Sequence, residues 1–352
     1  MLVGKLYAGR LTHDGRHARH IRALNAFSLM HGIDFFIFSL SGVNTETKTI
    51  MGHFWDCETQ RYVVKETRYP DVFDGSMYVA PEEYRKARKD LFANSVPFFS
   101  QLSFKNKSDC QKLLATFVSP EMLIRNCRYN SDERDEFIKS RGVVFLKPNS
   151  KLKGKGCGIL MYENGNYLLH TGSGKQNFTA DEFAKFGDAN FKEQNILVQE
   201  YVDSTTKEGV PFDVRVRCVR EGADKWRVWT LARIGASGGV ASNLSAGGEC
   251  QILIKLFLAK QFGEQEGERI HNELVEFSKT FPQQLQKAWE SKHAGRKLCI
   301  FGADVGINRV DNNRLKIFEI NGNPNYVRGF EEVDAEARVK TYKWLCEEAR
   351  KK

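Results

Sequence analysis

Two acidic residues near the C-terminal end of the chain, Asp304 and Glu319, lie in short alternating apolar runs on either side of a polar turn. This pattern predicts a β-hairpin. A turn centred between Asp311 and Asn312 places the two carboxylates directly opposite each other, and Asn321 projects from the same face as Glu319. Opposed like charges are destabilising, whereas Mg²⁺ binds carboxylate and amide oxygens. We therefore predict a magnesium site here; a solvated hairpin with two exposed acids is the alternative.

A basic, glycine-rich stretch follows a predicted strand at residues 143–146. Lys147 and Pro148 end the strand, and the next ten residues include Gly154, Gly156 and Gly158 among three lysines. Backbone N–H groups of such a loop can approach phosphate oxygens closely, because glycine has no Cβ. The loop is therefore predicted to bind phosphate, although it is not a Walker A loop. A merely basic surface loop is the alternative.

Charged residues also recur on two predicted strands. Asp213, Arg215 and Arg217 alternate with valines, which places the three charges on one strand face. We expect that face to be either solvated or anion-binding. The strand at 226–234 ends with Arg233, and the loop after it, which contains Asn243, is too rich in glycine and serine for a helix.

A chain of 352 residues has room for two to three domains that position these groups. We predict an α/β (α+β) protein with an N-terminal α/β unit at residues 1–100, a central unit at 101–195 and a C-terminal unit at 196–352. In the first unit, a helix from about Arg16 to His31 precedes a buried strand from Asp34, which indicates a βαβ element. In the second, an amphipathic helix follows Lys107.

The net charge of +9 suggests an anionic ligand or partner, or a merely basic surface. The eight cysteines contain no CxxC pair, which argues against a zinc site or a disulfide framework and favours a reducing cytosol. No apolar run approaches the about 18 residues that a membrane helix requires. We expect a cytoplasmic protein without a membrane or nucleic-acid partner, because its basic residues are spread out and lack interleaved aromatics.

The order of these motifs along the chain resembles that of the ATP-grasp superfamily. Within it, the chain looks like the glutathione-synthetase type, and especially the YheC/YheD branch associated with bacterial spore coats. The resemblance covers about residues 100–325, and the first hundred residues match only loosely, like the variable N-terminal domain of such proteins. The segments that carry it are Phe145–Ser150 with Gly154–Gly158, Val198–Asp203, Pro211–Arg215, Leu231–Ile234 with Ser242–Leu244, and Glu319–Pro324.

The resemblance implies an ATP-grasp fold, with a pre-ATP-grasp domain followed by two ATP-grasp subdomains, and assigns roles to particular positions. ATP and one or two Mg²⁺ ions, for which Mn²⁺ is a possible substitute, would be the cofactors. The implied phosphate ligands are Lys107, Lys147 and the loop residues Ser150, Gly154, Lys155, Gly156 and Gly158. Glu200, Tyr201 and Val202 would line the adenine, and either Asp203 or Asp213 would bind the ribose. The metal ligands would be Asp304, Glu319 and Asn321. Arg215, Arg233 and Asn243 would lie near the γ-phosphate and the acceptor carboxylate.

The implied activity is that of an ATP-dependent carboxylate–amine ligase, which forms an amide or peptide bond through an acylphosphate and releases ADP and phosphate. Its partners would be small-molecule or peptide carboxylates and amines, and a homodimer is possible. Two alternatives remain open. One is an ATP-grasp kinase that phosphorylates a small polyol, and the other is a non-catalytic nucleotide-binding or coat-type protein.

Overall fold

The computed structural model describes residues 1–7, 18–75, 82–98, 107–149, 156–191, 195–242, 247–293, 296–322, 324 and 329–351. In these ranges the chain forms three β-sheets with helices packed against them. None of the helices in the described ranges is long and apolar enough to cross a membrane.

The first sheet belongs to the N-terminal part of the chain. Its strands are β1 (Leu2–Leu6), β2 (Asp34–Phe38), β3 (Val43–Asn44), β4 (Thr49–Asp56), β5 (Arg61–Arg68), β6 (Val72–Asp74) and β7 (Val96–Phe98), with helices α1 (Ala18–Met30) and α2 (Arg85–Asn94). The strand order is β3-β4-β2-β1-β6-β7, and β5 pairs with β4. Because β1 and β2 are parallel and α1 connects them, the predicted βαβ element is confirmed.

The second sheet is central in the sequence. It comprises β8 (Asn126–Arg128), β9 (Val143–Pro148), β10 (Gly158–Glu163), β11 (Asn166–Thr171), β12 (Gly174–Thr179) and β13 (Ile196–Glu200), accompanied by α3 (Lys107–Leu114), α4 (Arg134–Arg141) and α5 (Ala180–Asn190). The order is β12-β11-β10-β9-β13-β8. Strand β13 therefore pairs within this sheet, although it follows the predicted limit at residue 195; the three domain limits stay predictions.

The third sheet carries most of the charged motifs. Its strands are β14 (Phe212–Arg220), β15 (Trp226–Ile234), β16 (Glu249–Gln251), β17 (Ile300–Asn308) and β18 (Arg314–Asn321), with helices α6 (Ile254–Phe262), α7 (Glu264–Glu290) and α8 (Glu331–Arg350). They form an antiparallel sheet in the order β16-β15-β14-β17-β18.

The two faces of the third sheet bury different partners. One face contributes Val214, Val216 and Val305 to a core that also contains apolar residues of α6 and α7. Other residues of the sheet, Trp229 and Leu231 among them, join a second core with apolar residues of the first sheet, α1 and α8. The N-terminal unit therefore packs against the third sheet and α8.

The prediction of one charged face on β14 is confirmed, and of its two predicted environments, solvated or anion-binding, the solvated one is wrong. Asp213, Arg215 and Arg217 are 3%, 9% and 0% exposed. Arg217 donates to Asp334 of α8 through Nε at 2.9 Å and Nη2 at 2.5 Å, and to the carbonyl oxygen of Pro324. A fully buried guanidinium is tolerated only when it is paired and hydrogen-bonded. The contact of Arg217 with Asp334 therefore holds α8 to the third sheet.

Candidate active site

Asp304 and Glu319 lie directly opposite each other on β17 and β18, as predicted. The predicted turn centre was nevertheless wrong. Near the turn, Val305 pairs with Ile317, so that the hairpin is centred on Asp311. The register then shifts between Asp304 and Val305. The extra residue in β18 is Phe318, and this β-bulge restores the pairing of the two acids.

The bulge also decides which way Glu319 points. Leu315 and Ile317 are buried in the core against α7. With unbroken alternation Glu319 would project into that same core, because side chains two residues apart share a strand face. The extra residue reverses the alternation, and Glu319 and Asn321 thereby project to the same side as Asp304.

Two arginines surround Asp304. Arg215 donates to its Oδ1 through Nε at 2.7 Å and to its Oδ2 through Nη2 at 2.8 Å. Arg233 reaches Oδ2 through Nη2 at 2.9 Å and also makes a two-pronged contact with Asp213, at 2.7 and 2.6 Å. Ser242 donates to the same Asp213 carboxylate. The sheet order explains this array, because β14 lies between β15 and β17.

Burial and charge act differently on the two aspartates. Burial raises the pKa of Asp304, but Arg215 and Arg233 lower it below its ordinary value. Burial also raises the pKa of Asp213, and there it prevails over Arg233. Burial lowers the pKa of Arg233, yet the two carboxylates together raise it. The site therefore holds a charged Arg233 beside an ionised Asp304, and Asp213 is the carboxylate that takes up a proton more readily.

A lysine of the central sheet meets a carboxylate of the third sheet. Lys147, on β9, places its Nζ 3.3 Å from Oε2 of Glu319 on β18. Burial raises the pKa of Glu319, but Lys147 lowers it below its usual value. Lys107 lies near both groups, and burial together with the charge of Lys147 lowers its pKa to about 8. Two lysines predicted to bind phosphate thus converge at the predicted metal site.

Asn149 is a candidate site residue that the sequence reasoning missed. Its Oδ1 accepts from the backbone N–H of Lys107 at 3.0 Å, which fixes the start of α3. Its Nδ2 is buried and has no hydrogen-bond partner among the described residues. A buried unsatisfied donor costs about 1–3 kcal/mol, so this atom is suited to an acceptor brought by a ligand. Its position directly after Lys147 and Pro148 was the available signal.

Part of the glycine-rich loop can be described. Gly156 has a φ of +76°, a conformation that favours glycine. Gly158 begins β10 and pairs with Leu146. Between them, buried Cys157 is close enough to Lys147 for that lysine to oppose the rise that burial causes in the thiol pKa. The predicted residues that lie outside the described residues are Ser150, Gly154, Lys155 and Asn243.

The predicted adenine segment follows β13. Glu200 forms ion pairs with Arg141 at 3.2 Å and with Lys316 at 3.3 Å. Tyr201 is half-buried and Val202 is buried. Lys316 is a further residue that the sequence reasoning missed. It lies on β18 of the third sheet, so its pair with Glu200 forms a second contact between the two sheets.

The two candidate ribose ligands differ in their surroundings. Asp203 is partly exposed, and its carboxylate accepts from the Thr205 hydroxyl at 2.8 Å. Its backbone N–H donates to Asn308 Oδ1 at 3.0 Å, which ties the segment to β17. Asp213 is 3% exposed and is paired with Arg233.

The donor set fits a hard cation. Asn321 Nδ2 lies 2.8 Å from Oδ2 of Asp304 and 3.3 Å from Oε1 of Glu319, so two carboxylates and one amide converge. Among the described residues, Oδ1 of Asp304 accepts only from Arg215, which leaves a lone pair for a metal ion. Arginines and Lys147 already compensate the opposed charges. The predicted magnesium site therefore rests on the donor set and not on charge repulsion.

The sequence model of a family described as YheC/D-like ATP-grasp matches residues 95–351. A search of curated protein sequences finds no match.

Three solved structures are similar over most of the chain. The D-cycloserine synthetase DcsG has a TM-score of 0.55 at 11% identity, with 99% of each chain covered. The ATP-grasp ligase PsnB, complexed with precursor peptide PsnA2 and AMPPNP, has a TM-score of 0.52 at 11% identity, covering 98% of each chain. The ADP complex of purK, N5-carboxyaminoimidazole ribonucleotide synthetase, has a TM-score of 0.50 at 11% identity, covering 94% of this chain and 72% of the other. At such identities the likeness establishes the fold alone, and it confirms the predicted ATP-grasp fold.

Proposed function

Because the chain belongs to the YheC/D-like ATP-grasp family, we propose that it is an ATP-dependent carboxylate–amine ligase. The observation that carries the proposal is the 3.3 Å contact between Lys147 Nζ and Glu319 Oε2. It brings a cation suited to phosphate and a carboxylate suited to Mg²⁺ together between two sheets. The solved structures offer further support, since they are two synthetases and a ligase.

The proposed reaction overcomes the poor reactivity of a carboxylate. An oxygen of the acid attacks the γ-phosphorus of ATP, the bond to the β–γ bridging oxygen breaks, and ADP leaves. The amine then attacks the carbonyl carbon of the acylphosphate, the bond from that carbon to the phosphate oxygen breaks, and phosphate leaves with the proton that the amine gives up as the amide forms. Phosphoryl transfer depends mainly on positioning and charge neutralisation. A site built from lysines, arginines and carboxylates meets that need without a nucleophilic side chain.

On the phosphate side, we assign Lys107, Lys147 and Asn149 to the triphosphate. The orphaned Nδ2 of Asn149 gains an acceptor when phosphate binds. Lys147 exchanges its contact with Glu319 for a phosphate oxygen, which frees the carboxylate. The loop that contains Ser150, Gly154, Lys155, Gly156 and Gly158 covers the phosphates and excludes water, which would hydrolyse an acylphosphate.

On the metal side, Glu319, Asn321 and Asp304 hold one or two Mg²⁺ ions, with Mn²⁺ as a substitute. Bound Mg²⁺ neutralises charge that develops on the phosphate oxygens. Glu319 has the carboxylate that is easier to free, because it pairs with one lysine whereas Asp304 is held by two arginines.

On the acceptor side, Arg215 and Arg233 are the proposed catalytic residues, with Asn243 beside them. Their contacts with Asp304 and Asp213 fix the guanidinium planes before substrate arrives. Fixed donors of this kind stabilise charge that develops in a transition state. Arg233 thereby becomes the donor to the oxyanion of the tetrahedral intermediate.

On the nucleoside side, Glu200, Tyr201 and Val202 line the adenine in this proposal. We assign the ribose hydroxyls to Asp203, because it is partly exposed whereas Asp213 is buried against Arg233. The substrates are small-molecule or peptide carboxylates and amines. The eight free cysteines suit a cytoplasmic location, and a homodimer is the proposed assembly.

The fate of the γ-phosphate tests the proposal against its two rivals. The chain is incubated with γ-labelled ATP, Mg²⁺ and pools of amino acids, dipeptides, small acids and small polyols. A ligase releases the label as free phosphate only when both an acid and an amine are present. A polyol kinase, which the net charge of +9 would also suit, keeps the label on its acceptor. ATP binding without ADP formation from any pool would leave a non-catalytic nucleotide-binding or coat-type protein.

A further inference from the structure

A basic cavity of about 510 Å³ lies between the N-terminal unit and the C-terminal end of α7. Its cationic lining comprises Arg85, Arg88, Lys89, Arg296 and Lys297. Lys297 precedes Asp304 by seven residues, and an extended chain rises about 3.3 Å per residue. The cavity is therefore roughly 20 Å from the proposed phosphate site, beyond the N-terminal end of β17.

Helical spacing gathers three of these cations. Arg85, Arg88, Lys89 and Phe92 occupy positions i, i+3, i+4 and i+7 of α2, so they share one helix face. The guanidinium of Arg88 lies 5.3 Å from the centre of the Phe92 ring, which holds it over that face. The chain thus presents a preformed cationic surface on one side of the cavity.

These charges are only partly compensated. None of the described residues that line the cavity is acidic. Arg85 pairs with exposed Glu82 at 2.5 Å, and Glu348 lies close enough to Lys297 for an electrostatic interaction. Lys89 and Arg296 form no ion pair with any residue that the structure describes. Two cations therefore remain free for a ligand.

The remaining lining is apolar. Phe92, Val96, Pro97 and Leu345 contribute to it, and so does Trp289, which is 2% exposed and stacks on His293 at 4.4 Å. A cleft of one charge sign with low-dielectric walls focuses the electric field and concentrates counter-ions. Arginine also matches the geometry of phosphate and carboxylate oxygens with two parallel hydrogen bonds.

We propose that this cavity is a binding site for a compact anion that carries two or more phosphate groups. Its volume is in the range of small-molecule sites, about 300–1,000 Å³. A phosphate group carries about −1.5 to −2 charges. Two phosphate groups therefore bring enough negative charge into a small volume to balance the clustered cations, whereas a single carboxylate does not. The site is independent of the ligase proposal, because none of its residues belongs to the ATP site.

A ligand in this cavity contacts two structural units of the chain. Helix α2 and β7 belong to the N-terminal unit, whereas Trp289 lies in the last turn of α7, and Arg296 and Lys297 lie between α7 and β17 in the sequence. An anion held between Lys89 and Arg296 joins the two units by charge pairs. Because it binds the folded chain and not the unfolded one, it should raise the unfolding temperature.

Binding of inorganic pyrophosphate to the full chain, measured by calorimetry in excess EDTA and low salt, tests the proposal. The test variant is Lys89→Gln with Arg296→Gln. The matched control is Lys86→Gln with Lys292→Gln, which removes the same charge from neighbouring exposed positions that do not line the cavity. Both pairs are made in a Lys147→Ala background, which weakens phosphate binding at the ATP site equally in the test and control variants. Citrate serves as the carboxylate comparator.

We expect the Lys147→Ala chain to bind pyrophosphate, and the test variant to bind it at least about tenfold more weakly, because it loses two charge-assisted contacts. The control should bind within about twofold of the parent. Equal weakening in both double variants, or no binding to the parent, would overturn the proposal. Tighter binding of citrate would overturn the choice of phosphate. Tight binding of an RNA oligonucleotide or anionic vesicles, with no pyrophosphate binding, would overturn the small-ligand proposal in favour of a macromolecular surface.

Discussion

Asp304 and Glu319 face each other across the β17–β18 hairpin only because β18 carries one extra residue between them and the turn. Without Phe318 in that position, Glu319 would point into the hydrophobic core beside Ile317. Bulges re-aim side chains and are common next to active sites. The geometry of the proposed metal site therefore depends on a backbone irregularity as well as on the acidic residues themselves.

The space for the bulge is provided by a glycine. A Cβ added to Gly306 would lie 2.2 Å from Cζ of Phe318. We expect Gly306→Ala to lower the free energy of unfolding by about 1–3 kcal/mol, the usual cost of overpacking, and to lower phosphate release. Urea unfolding and the labelled-phosphate assay measure the two effects.

The matched control for that variant is Gly172→Ala, where an added Cβ meets nothing within 4 Å. Combining Gly306→Ala with Phe318→Ala should recover stability, because the clashing ring is removed. A Gly306→Ala protein as stable and as active as the parent would show that the bulge does not require this glycine.

Arg233→Ala separates ATP binding from turnover. We expect kcat to fall by roughly 10²- to 10³-fold, the loss seen when a fixed oxyanion donor is removed, while the Kd for ATP stays unchanged. The fold should survive, because the pKa of Asp213 is already raised by burial and this carboxyl can take up a proton. Arg269→Ala, an exposed arginine on α7, is the control. Turnover unchanged in Arg233→Ala would remove Arg233 from the mechanism.

Lys107 makes the affinity for ATP dependent on pH. Burial and the neighbouring Lys147 lower its pKa to about 8. Below that pH the ammonium is charged and attracts the triphosphate; above it the charge is lost. The Kd for ATP, measured by calorimetry between about pH 7 and about pH 9, should therefore rise with pH.

Lys107→Arg supplies the control for this titration, because an arginine stays charged throughout that range. The variant should show a Kd that rises less with pH than that of the parent. An equally steep rise in both proteins would assign the titration to another group.

Asp334 connects α8 to the third sheet. It is fully buried and accepts from Arg217, Arg338 and His20. Asp334→Asn should lower the free energy of unfolding by about 3–5 kcal/mol, the cost of removing one partner of a buried ion pair. Glu276→Gln, which breaks the exposed pair with Lys279, should change it by less than about 0.5 kcal/mol. Chemical denaturation compares the two, and equal effects would refute a structural role for the buried pair.

Local pattern was enough to predict the hairpin and the shared charged face of β14. It was not enough for the turn, because the predicted centre assumed unbroken pairing, and a bulge at Phe318 compensated for the difference. Alternation alone gives no sign of such an extra residue. The predicted pairing of Asp304 with Glu319 is therefore confirmed, although the predicted turn centre is wrong.

Contacts between distant segments could not be predicted from pattern. Arg217 was expected to lie on a solvated or anion-binding face, but its partner Asp334 follows 117 residues later. The contact of Lys147 with Glu319 likewise requires two sheets to approach each other. Such pairings are set by tertiary packing, on which strand alternation carries no information.

The most direct test of the proposed site is the effect of Mg²⁺ on ATP binding, because it needs no knowledge of the acid or the amine. Calorimetry gives the Kd for ATP with Mg²⁺ and with EDTA, in the parent chain and in Glu319→Gln, with Glu276→Gln as the exposed control. We predict that Mg²⁺ strengthens ATP binding in the parent and in the control, and that the gain is lost in Glu319→Gln. An equal gain from Mg²⁺ in all three proteins would contradict the proposed site at Asp304, Glu319 and Asn321.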